Sequence, residues 1–217
     1  MSNRACSVPV KLAVLSLSIV ALGAAGCDGG GEGAAKYFPM KIGATWNFIV
    51  TPANGVALTE TKQNTEGSPS TLTQTHNLGS AYSYTESFEL DPSGIFITGS
   101  TYAYATEQET YSPPLLLLPS NTTPGFSTST TSTETEQGST NATDTVTVVG
   151  TVDGIEAVTV PAGTFSALRV TRLFTRPDGT TTGMQWYAPG VGAVKMVAKD
   201  SLQAVQETCE LTSYNIP

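Results

Sequence analysis

VTVPAGTFSALRVTRLFTRPDGTTTGMQWYAPGVGAVKMV, residues 158–197, carries the clearest structural signal in the sequence. Valine, threonine and aromatic residues, which favour strands, dominate it. It is divided by three turn signals: Pro161-Ala162-Gly163, Pro177-Asp178-Gly179 and Pro189-Gly190. Proline presets φ for a turn, and glycine accepts the unusual backbone angles that follow. The stretch therefore predicts consecutive strands joined by tight turns, and Gly192 indicates a bulge or a close backbone contact within the last strand.

The same pattern extends outward in both directions. Period-2 alternation places side chains on shared strand faces in three groups: Trp46, Phe48 and Val50; Tyr82 and Tyr84; Tyr102 and Tyr104. No helical periodicity of twelve residues occurs after the N-terminal segment, and at most residues 201–207 could form a short helical turn. Many short strands indicate an antiparallel sheet, a sandwich or an open barrel. We predict an all-β fold for residues 36–217: a single curved antiparallel sheet, forming a half-barrel or open barrel, with few or no helices.

The N-terminus has the composition of a targeting segment. Arg4 and Lys11 give it positive charge, residues 12–22 (LAVLSLSIVAL) are mostly apolar, and small residues precede Cys27. This three-part plan is that of a secretory signal peptide, and the apolar run is too short to span a bilayer. We predict that residues 1–26 are a signal peptide.

The residues around Cys27 add a lipid to this prediction. Ala24-Ala25-Gly26-Cys27 resembles the lipobox of bacterial lipoproteins, although Ala24 stands where leucine is usual. The resemblance implies lipid attachment to Cys27 and a membrane anchor in the bacterial cell envelope, on the inner or the outer membrane, with the body in the periplasm or at the cell surface. Ordinary signal-peptidase cleavage would instead leave a free secreted protein. The glycine-rich residues 27–35 are typical of a flexible tether.

Composition excludes several classes of protein. The formal net charge is −8 and no basic stripe is present, which argues against binding to nucleic acid. One histidine and three scattered cysteines argue against most zinc, iron–sulfur and haem sites, so we expect no cofactor and no metal. Once Cys6 is removed and Cys27 is acylated, Cys209 has no partner for a disulfide, and we interpret it as a buried, inert thiol.

Candidate catalytic residues are few. His76 has no second histidine and no nucleophile motif beside it, so we interpret it as a solvated loop or strand residue. The pairs Glu107/Glu109 and Glu134/Glu136 each share one strand face, whereas glycosidase chemistry needs two opposed carboxylates. We interpret these pairs as solvated strand faces. The sequence therefore predicts no enzymatic activity and no catalytic residue.

Three arginines fall close together. Arg172 and Arg176 share a strand face, and Arg169 takes the other. They either grip an anionic headgroup or carboxylate, or pair across strands with the many acids. Trp46, Trp186 and Tyr187 are interpreted as core aromatics rather than as platforms for sugars.

Two further segments leave alternatives open. Residues 113–119 (PPLLLLP) are the most apolar part of the body. They either form a strand that is buried on both faces or line an acyl cavity. As an exposed loop, they would instead contact a bilayer or dock a partner. Residues 121–145, nearly all Ser, Thr, Gly and acids, form either an exposed loop or a polar edge strand.

Four blocks carry a resemblance to known proteins: FPMKIGATW (residues 38–46), VPAGTFSALRV (160–170), WYAPGVGAVK (186–195) and ELTSY (210–214). They resemble a widespread group of uncharacterised bacterial β-sheet lipoproteins. That group is similar in turn to the half-barrel superfamily of LolA, LolB and LppX, in which a curved sheet cups an acyl chain. The resemblance implies binding or transport of a hydrophobic ligand or lipid. The alternative is a structural or protein-interaction module of an envelope complex. The matched residues are turn and core residues, so they assign no ligand-binding residue and no protein partner.

Overall fold

Twelve antiparallel strands, each hydrogen-bonded to its neighbours in chain order, form one sheet in the computed structural model. The model describes residues 32–79, 82–103, 107–138 and 141–217. A short helix, α1 (Glu32–Ala35), precedes the strands. The strands are β1 (Thr45–Pro52), β2 (Leu58–Gly67), β3 (Thr71–Leu78), β4 (Tyr82–Asp91), β5 (Gly94–Tyr102), β6 (Glu107–Pro119), β7 (Ser127–Gln137), β8 (Ala142–Val160), β9 (Gly163–Arg176), β10 (Gly179–Ala188), β11 (Gly192–Lys199) and β12 (Val205–Asn215).

The predicted all-β fold with one curved antiparallel sheet is confirmed. The sheet closes into a barrel because β1 pairs on both sides: Trp46 lies opposite Lys62 of β2 and Tyr214 of β12. Closure pairs the first and last strands, which removes the two edges that an open sheet would expose. The alternation predicted for β1 is also confirmed, since Trp46, Phe48 and Val50 are each at most 4% exposed.

The turns predicted within residues 158–197 separate β8, β9, β10 and β11. The β8–β9 hairpin is the longest, and its tip packs against β12. There the Ala162 amide donates to the Leu211 carbonyl at 2.9 Å, and the ring of Phe165 meets the edge of Tyr214. Trp186 is also covered on this side, where its indole donates to Glu156 at 2.6 Å. A second apolar layer therefore lies outside the barrel wall.

The segment before β1 covers one end of the barrel, which we call the closed end. Ala34 is fully buried, Tyr37 is 4% exposed, and the Gly190 amide donates to the Lys36 carbonyl. The Asn64 amide holds the Pro39 and Lys41 carbonyls at 3.0 Å each. Residues 32–35 were predicted as the end of a flexible tether. That prediction is wrong for these four residues, because Ala34 packs into the core and the chain forms α1.

The Ser/Thr-rich residues 121–145 contain β7 and the start of β8 rather than one long loop. All of residues 127–136 pair with β8, and residues 133–137 pair with β6 as well. Threonine suits a pleated surface, and inward-facing Thr130 and Ser132 are buried. The loop interpretation is therefore wrong for most of this region, and an edge position is excluded where β7 pairs on both sides.

The predicted signal peptide (residues 1–26), Cys27 and most of the tether lie outside the described residues, so these assignments stay predictions. Tyr104 also lies outside them. Among the helices of the described ranges, none has the length and apolar composition needed to cross a membrane.

Candidate ligand-binding cavity

A cavity of about 170 Å³ lies inside the barrel. It begins at Phe38 and Pro39 beside the closed end and reaches Tyr82, Tyr102 and Glu107 near the hairpins of the opposite end. For comparison, an engineered protein cavity of about 150 Å³ binds benzene. The space therefore suits a group of roughly that size, such as one aromatic ring or a short alkyl chain.

The walls of the cavity are mostly aromatic and aliphatic. β1 contributes Trp46, Phe48 and Val50, because alternate residues of this strand point into the barrel. Further apolar lining residues come from the other strands: Leu78, Phe88, Ile97, Leu117, Tyr187 and Met196. Trp46 is fixed in place, since its indole donates to the Val191 carbonyl at 2.6 Å. Trp46 and Tyr187 are buried in the core, as predicted for core aromatics.

Four polar residues form what we call the charged cluster: Glu60, Lys62 and Glu86, which line the cavity, and His76, which lies buried behind them. They come from β2, β3 and β4, where Lys62 lies opposite His76. His76 Nδ1 lies 3.0 Å from a Glu60 oxygen, and His76 Nε2 lies 3.0 Å from a Glu86 oxygen. The contact to Glu86 is a close ion pair rather than a well-aligned hydrogen bond. The imidazole thus sits between two carboxylates.

The interpretation of His76 as a solvated residue is wrong, because its exposed fraction is 0%. Burial and the nearby Lys62 charge oppose protonation, but the charge of Glu86 and the hydrogen bond to Glu60 prevail and raise the pKa of His76. The carboxylates respond in the opposite sense. Against the effect of burial, Lys62 and His76 lower the pKa of Glu60 to about 2, and His76 lowers the pKa of Glu86. The imidazole and the two carboxylates therefore favour one another's charged forms.

Lys62 is the member of the cluster with the loosest contacts. Its ammonium lies 3.6 Å from Glu60 Oε2, which is beyond hydrogen-bonding distance, and 5.3 Å from the centre of the Phe48 ring. Its side chain is 21% exposed and lines the cavity. Burial opposes its charge, but Glu60 and Glu86 raise the pKa of Lys62, so the ammonium stays protonated.

Three tyrosines pack above the charged cluster. The ring of Tyr84 stacks on His76 at 4.3 Å between centroids and on Tyr102 at 5.5 Å, and Tyr82 contacts both tyrosines at tilted angles. The Tyr84 hydroxyl donates to Glu60 at 3.3 Å. Burial, followed by the charge of Glu60, raises the pKa of Tyr84, so it remains a neutral donor. The alternation predicted for Tyr82 and Tyr84 is confirmed, since both line the cavity.

A second polar group lies farther around the barrel, and it corrects the interpretation of the glutamate pairs. Glu109 and Glu134 are only 6% and 4% exposed, so they do not belong to solvated faces. Glu109 accepts from the hydroxyls of Tyr102 and Tyr111, and Arg176 binds Glu134 through two nitrogens at 2.8 and 3.0 Å. These side chains point into the barrel, so hydrogen-bonding partners in the protein, rather than water, stabilise their buried polar groups.

Carboxylate oxygens of Glu109, Glu134 and Glu136 lie within 4.8 Å of one another, a spacing that a divalent cation could bridge. The observed contacts already account for two of them, since Arg176 neutralises Glu134 and two tyrosines satisfy Glu109. This arrangement is therefore explained as a hydrogen-bonded network of the barrel interior.

The three arginines of β9 point to the strand faces predicted for them, and each has different partners. Arg169 points outward and pairs with Asp153 and Glu156, and Arg176 pairs with Glu134, as cross-strand pairing predicts. Arg172 is 2% exposed and donates to the Leu117 carbonyl at 2.6 Å.

The apolar residues 113–119 lie within β6, and Leu115, Leu117 and Leu118 are buried there. Leu117 also lines the cavity, and the interpretation that this segment contacts an acyl chain stays a prediction.

Cys209 is buried, as predicted, and it lines the cavity beside Glu207. Burial and the neighbouring Glu207 raise the pKa of the thiol, which keeps it protonated and unreactive. Burial also raises the pKa of Glu207 above its ordinary value.

A family model described as DUF3108-like matches residues 84–211, which is more than half of the chain and includes β5 to β11 in full. The chain belongs to the DUF3108-like family. The match contains the predicted blocks at residues 160–170 and 186–195, as well as Glu86 and Leu117, whereas Glu60, Lys62 and His76 precede it. Similarity to the LolA-type half-barrels stays a prediction.

Two solved structures resemble this member of the DUF3108-like family. A protein from Bacteroides fragilis, described as exported and as having a YmcC-like fold, has a TM-score of 0.55 at 16% identity, covering 83% of this chain and 99% of its own. A protein from Parabacteroides distasonis, described as a lipoprotein, has a TM-score of 0.46 at 17% identity, covering 82% of this chain and 98% of its own. Comparison with curated proteins gives no match.

Proposed function

We propose that this protein is a lipid-anchored lipoprotein of the bacterial cell envelope whose barrel binds a small amphiphilic molecule. The cavity carries this proposal: it combines aromatic walls with an internal charged cluster in one space. Apolar pockets with a few fixed polar groups are the usual form of small-molecule sites. The envelope location is supported by the signal-peptide pattern before Cys27 and by the exported relative from Bacteroides fragilis.

The size of the cavity limits the ligand. A space of about 170 Å³ accommodates a short chain or one ring, not both chains of a phospholipid. A longer acyl chain would have to leave the barrel through the opposite end, where Tyr82, Tyr102 and Glu107 are half-exposed. We therefore favour a short amphiphile, or the end of a longer one, over a whole lipid.

The polar contacts support binding rather than catalysis. Both ring nitrogens of His76 already contact carboxylate oxygens at 3.0 Å, which leaves neither nitrogen available to a substrate. Glu109 and Glu134 are each engaged by hydrogen-bond donors. These groups stabilise a polar interior and orient a ligand; we assign none of them a catalytic role.

The anchor would orient the barrel. Cys27 precedes α1 at Glu32 by five residues, which span at most about 18 Å even when fully extended. Since α1 lies at the closed end, lipid on Cys27 would hold that end towards the membrane and direct the opposite end away from it. On this proposal, the ligand exchanges with the aqueous compartment or a partner protein rather than directly with the bilayer.

Lipidation is tested by labelling growing cells with an alkyne analogue of palmitate. Wild-type protein and a Cys6→Ser variant are expected to incorporate the label, because Cys6 lies in the segment that is removed. Cys27→Ser is expected to lose it. Label retained by Cys27→Ser would refute attachment at this residue.

Binding is tested by titrating 1-octanol while recording tryptophan fluorescence. Trp46 lines the cavity, whereas Trp186 lies outside the barrel wall against Glu156, so Trp186→Phe leaves Trp46 as a clean reporter. We expect a saturable change in Trp186→Phe and none in Trp46→Phe. A non-saturable response, equal in both variants, would refute binding in the barrel.

A second candidate, an interaction module, is favoured by one observation. Val56 and Leu202 are 82% and 86% exposed and lie on the β1–β2 and β11–β12 hairpins. A hydrogen bond from the Ala53 amide to the Gln206 carbonyl holds these hairpins together at the end opposite the closed end. If this function is correct, Val56→Ser with Leu202→Ser should abolish cross-linking to a specific envelope protein, whereas the outlying Ile155→Ser should not.

A further inference from the structure

We propose that the ligand carries a carboxylate, or an equivalent compact anion, and that Lys62 binds it. This inference rests on the proposed function, since it assigns the polar end of a ligand that the cavity is proposed to hold. It goes further by naming the charge of the ligand and the side chain that recognises it.

The first observation is the position of the Lys62 ammonium. Its side chain emerges from β2 into the cavity, opposite Trp46 on one side and His76 on the other. The ammonium lies over the Phe48 ring, so it faces the apolar lining rather than the outer solvent. An anion at this point would have its apolar part directed along the aromatic wall.

The second observation is that the ammonium retains donor capacity. Lysine offers three N–H donors. Within the described ranges of the chain, no acceptor lies within hydrogen-bonding distance of Lys62 Nζ, and the contact to Glu60 measures 3.6 Å. A charged donor in a largely enclosed site is stabilised by acceptors, and a carboxylate is the strongest common one.

The third observation is that the neighbouring acids are already engaged. Glu60 accepts from His76 at 3.0 Å and from Tyr84 at 3.3 Å, and Glu86 contacts the other nitrogen of His76. His76 therefore lies closer to Glu60 than Lys62 does, and it contacts Glu86 as well. A cationic ligand would have to approach Lys62 and compete with His76, whereas an anionic ligand meets an available donor.

The experiment compares three molecules of equal chain length that differ only in charge: octanoate, 1-octanol and octylamine. Each is titrated at neutral pH into the full chain carrying Cys27→Ser and Trp186→Phe, with Trp46 fluorescence as the readout. A charge-assisted hydrogen bond contributes about 1.5–3 kcal/mol, which corresponds to roughly 10- to 100-fold in affinity. We expect octanoate to bind at least about tenfold more tightly than octanol, and octylamine to bind most weakly.

Two variants locate this preference. Lys62→Met keeps the length of the side chain but removes the charge, so it should reduce octanoate affinity to that of octanol. Lys62→Arg should retain the preference, which also guards against misfolding of the methionine variant. Lys195→Met is the matched control, because Lys195 pairs with Glu210 at 2.7 Å and does not line the cavity.

The outcomes distinguish failure of the carboxylate inference from failure of the proposed function. Equal binding of octanoate and octanol, unchanged by Lys62→Met, would overturn the carboxylate inference and leave the proposed function standing. Tightest binding of octylamine would overturn it as well. Failure of all three molecules to bind would refute the proposed function itself, and the inference with it.

Discussion

His76 and Glu60 join two neighbouring strands inside the barrel through a hydrogen bond of 3.0 Å between Nδ1 and Oε1. Both are buried, with exposed fractions of 0% and 5%. Glu86 contacts the same imidazole from β4, so one histidine links three strands. A buried charge of this kind is tolerated only with close partners. The stability of the barrel therefore depends on the protonation states of His76 and Glu60.

His76→Gln is expected to destabilise the protein by about 3–5 kcal/mol, because it removes the imidazole that contacts buried Glu60 and partly buried Glu86 at 3.0 Å each. The free energy of unfolding in urea measures this loss. Lys195→Met provides the control: it breaks a partly exposed pair with Glu210 and should cost less than about 1 kcal/mol. Similar small losses in both variants would show that His76 does not support the cluster.

The raised pKa of His76 predicts a loss of stability as pH rises above 6.5. Its folded pKa is raised above the ordinary value of 6.5, so its contribution is fully present below that value and disappears as pH rises through the folded pKa. Urea unfolding of wild type should therefore weaken over this window, whereas His76→Gln should lack this part of the decline. If the free energy of unfolding fell equally in wild type and His76→Gln above pH 6.5, this role of His76 would be contradicted.

Glu60 predicts the opposite dependence at acid pH. Its pKa is lowered from 4.5 to about 2, so its contribution is present above 4.5 and is lost as pH falls towards 2. We expect Glu60→Gln to reduce the acid sensitivity of unfolding between these values. Glu66→Gln, on the exposed part of the same strand, is the control and should follow wild type. A variant profile as steep as that of wild type would refute this role of Glu60.

Two arginines of β9 should differ sharply in their contribution to stability. Arg172→Met leaves the buried Leu117 carbonyl without its donor, at an expected cost of about 1–3 kcal/mol. Arg169→Met removes only pairs with Asp153 and Glu156, which are partly exposed, and should cost about 1 kcal/mol or less. Thermal or urea unfolding of the two variants gives the comparison. The reverse order would show that the Leu117 contact is dispensable.

Gly192 and Gly190 provide a second matched pair. Both have positive φ, at +98° and +70°. A Cβ at Gly192 would lie 3.3 Å from Pro39 and 3.5 Å from Trp46, whereas a Cβ at Gly190 meets nothing within 4 Å. Gly192→Ala should therefore destabilise more than Gly190→Ala, and it alone should shift the Trp46 fluorescence. Equal losses of stability in the two variants would mean that the positive φ, rather than the close contact with Pro39 and Trp46, requires glycine at position 192.

The strands and turns could be predicted because their signals are local. The proline–glycine turns at residues 161–163 and 177–179 fix where strands end, and the predicted close contact at Gly192 is confirmed by its approach to Pro39 and Trp46. The closure of the sheet depends on pairing β1 with β12, which are far apart in the sequence, and on the number and stagger of all the strands. Local patterns do not contain that information.

The charged cluster could be predicted only in part. Glu86 alternates with Tyr84 and Phe88, so its inward direction was available from the sequence. Charged residues are nevertheless almost always solvated unless paired, and the pairing of Lys62 with His76 depends on the register of β2 and β3. The same reasoning explains Glu109 and Glu134, whose partners Tyr102 and Arg176 come from other strands.

The central claim, that the barrel holds a small amphiphile, is tested most directly by mass spectrometry of organic extracts. The chain from Asp28 onward, which contains every described strand, is exported to a bacterial periplasm and purified without detergent. Ala193→Leu narrows the cavity that Ala193 lines, and Ala204→Leu, at an exposed position, is the control. We predict one stoichiometric amphiphile in wild type and in Ala204→Leu, and its loss in Ala193→Leu. Extracts without any such molecule, or equal amounts in all three proteins, would contradict the claim.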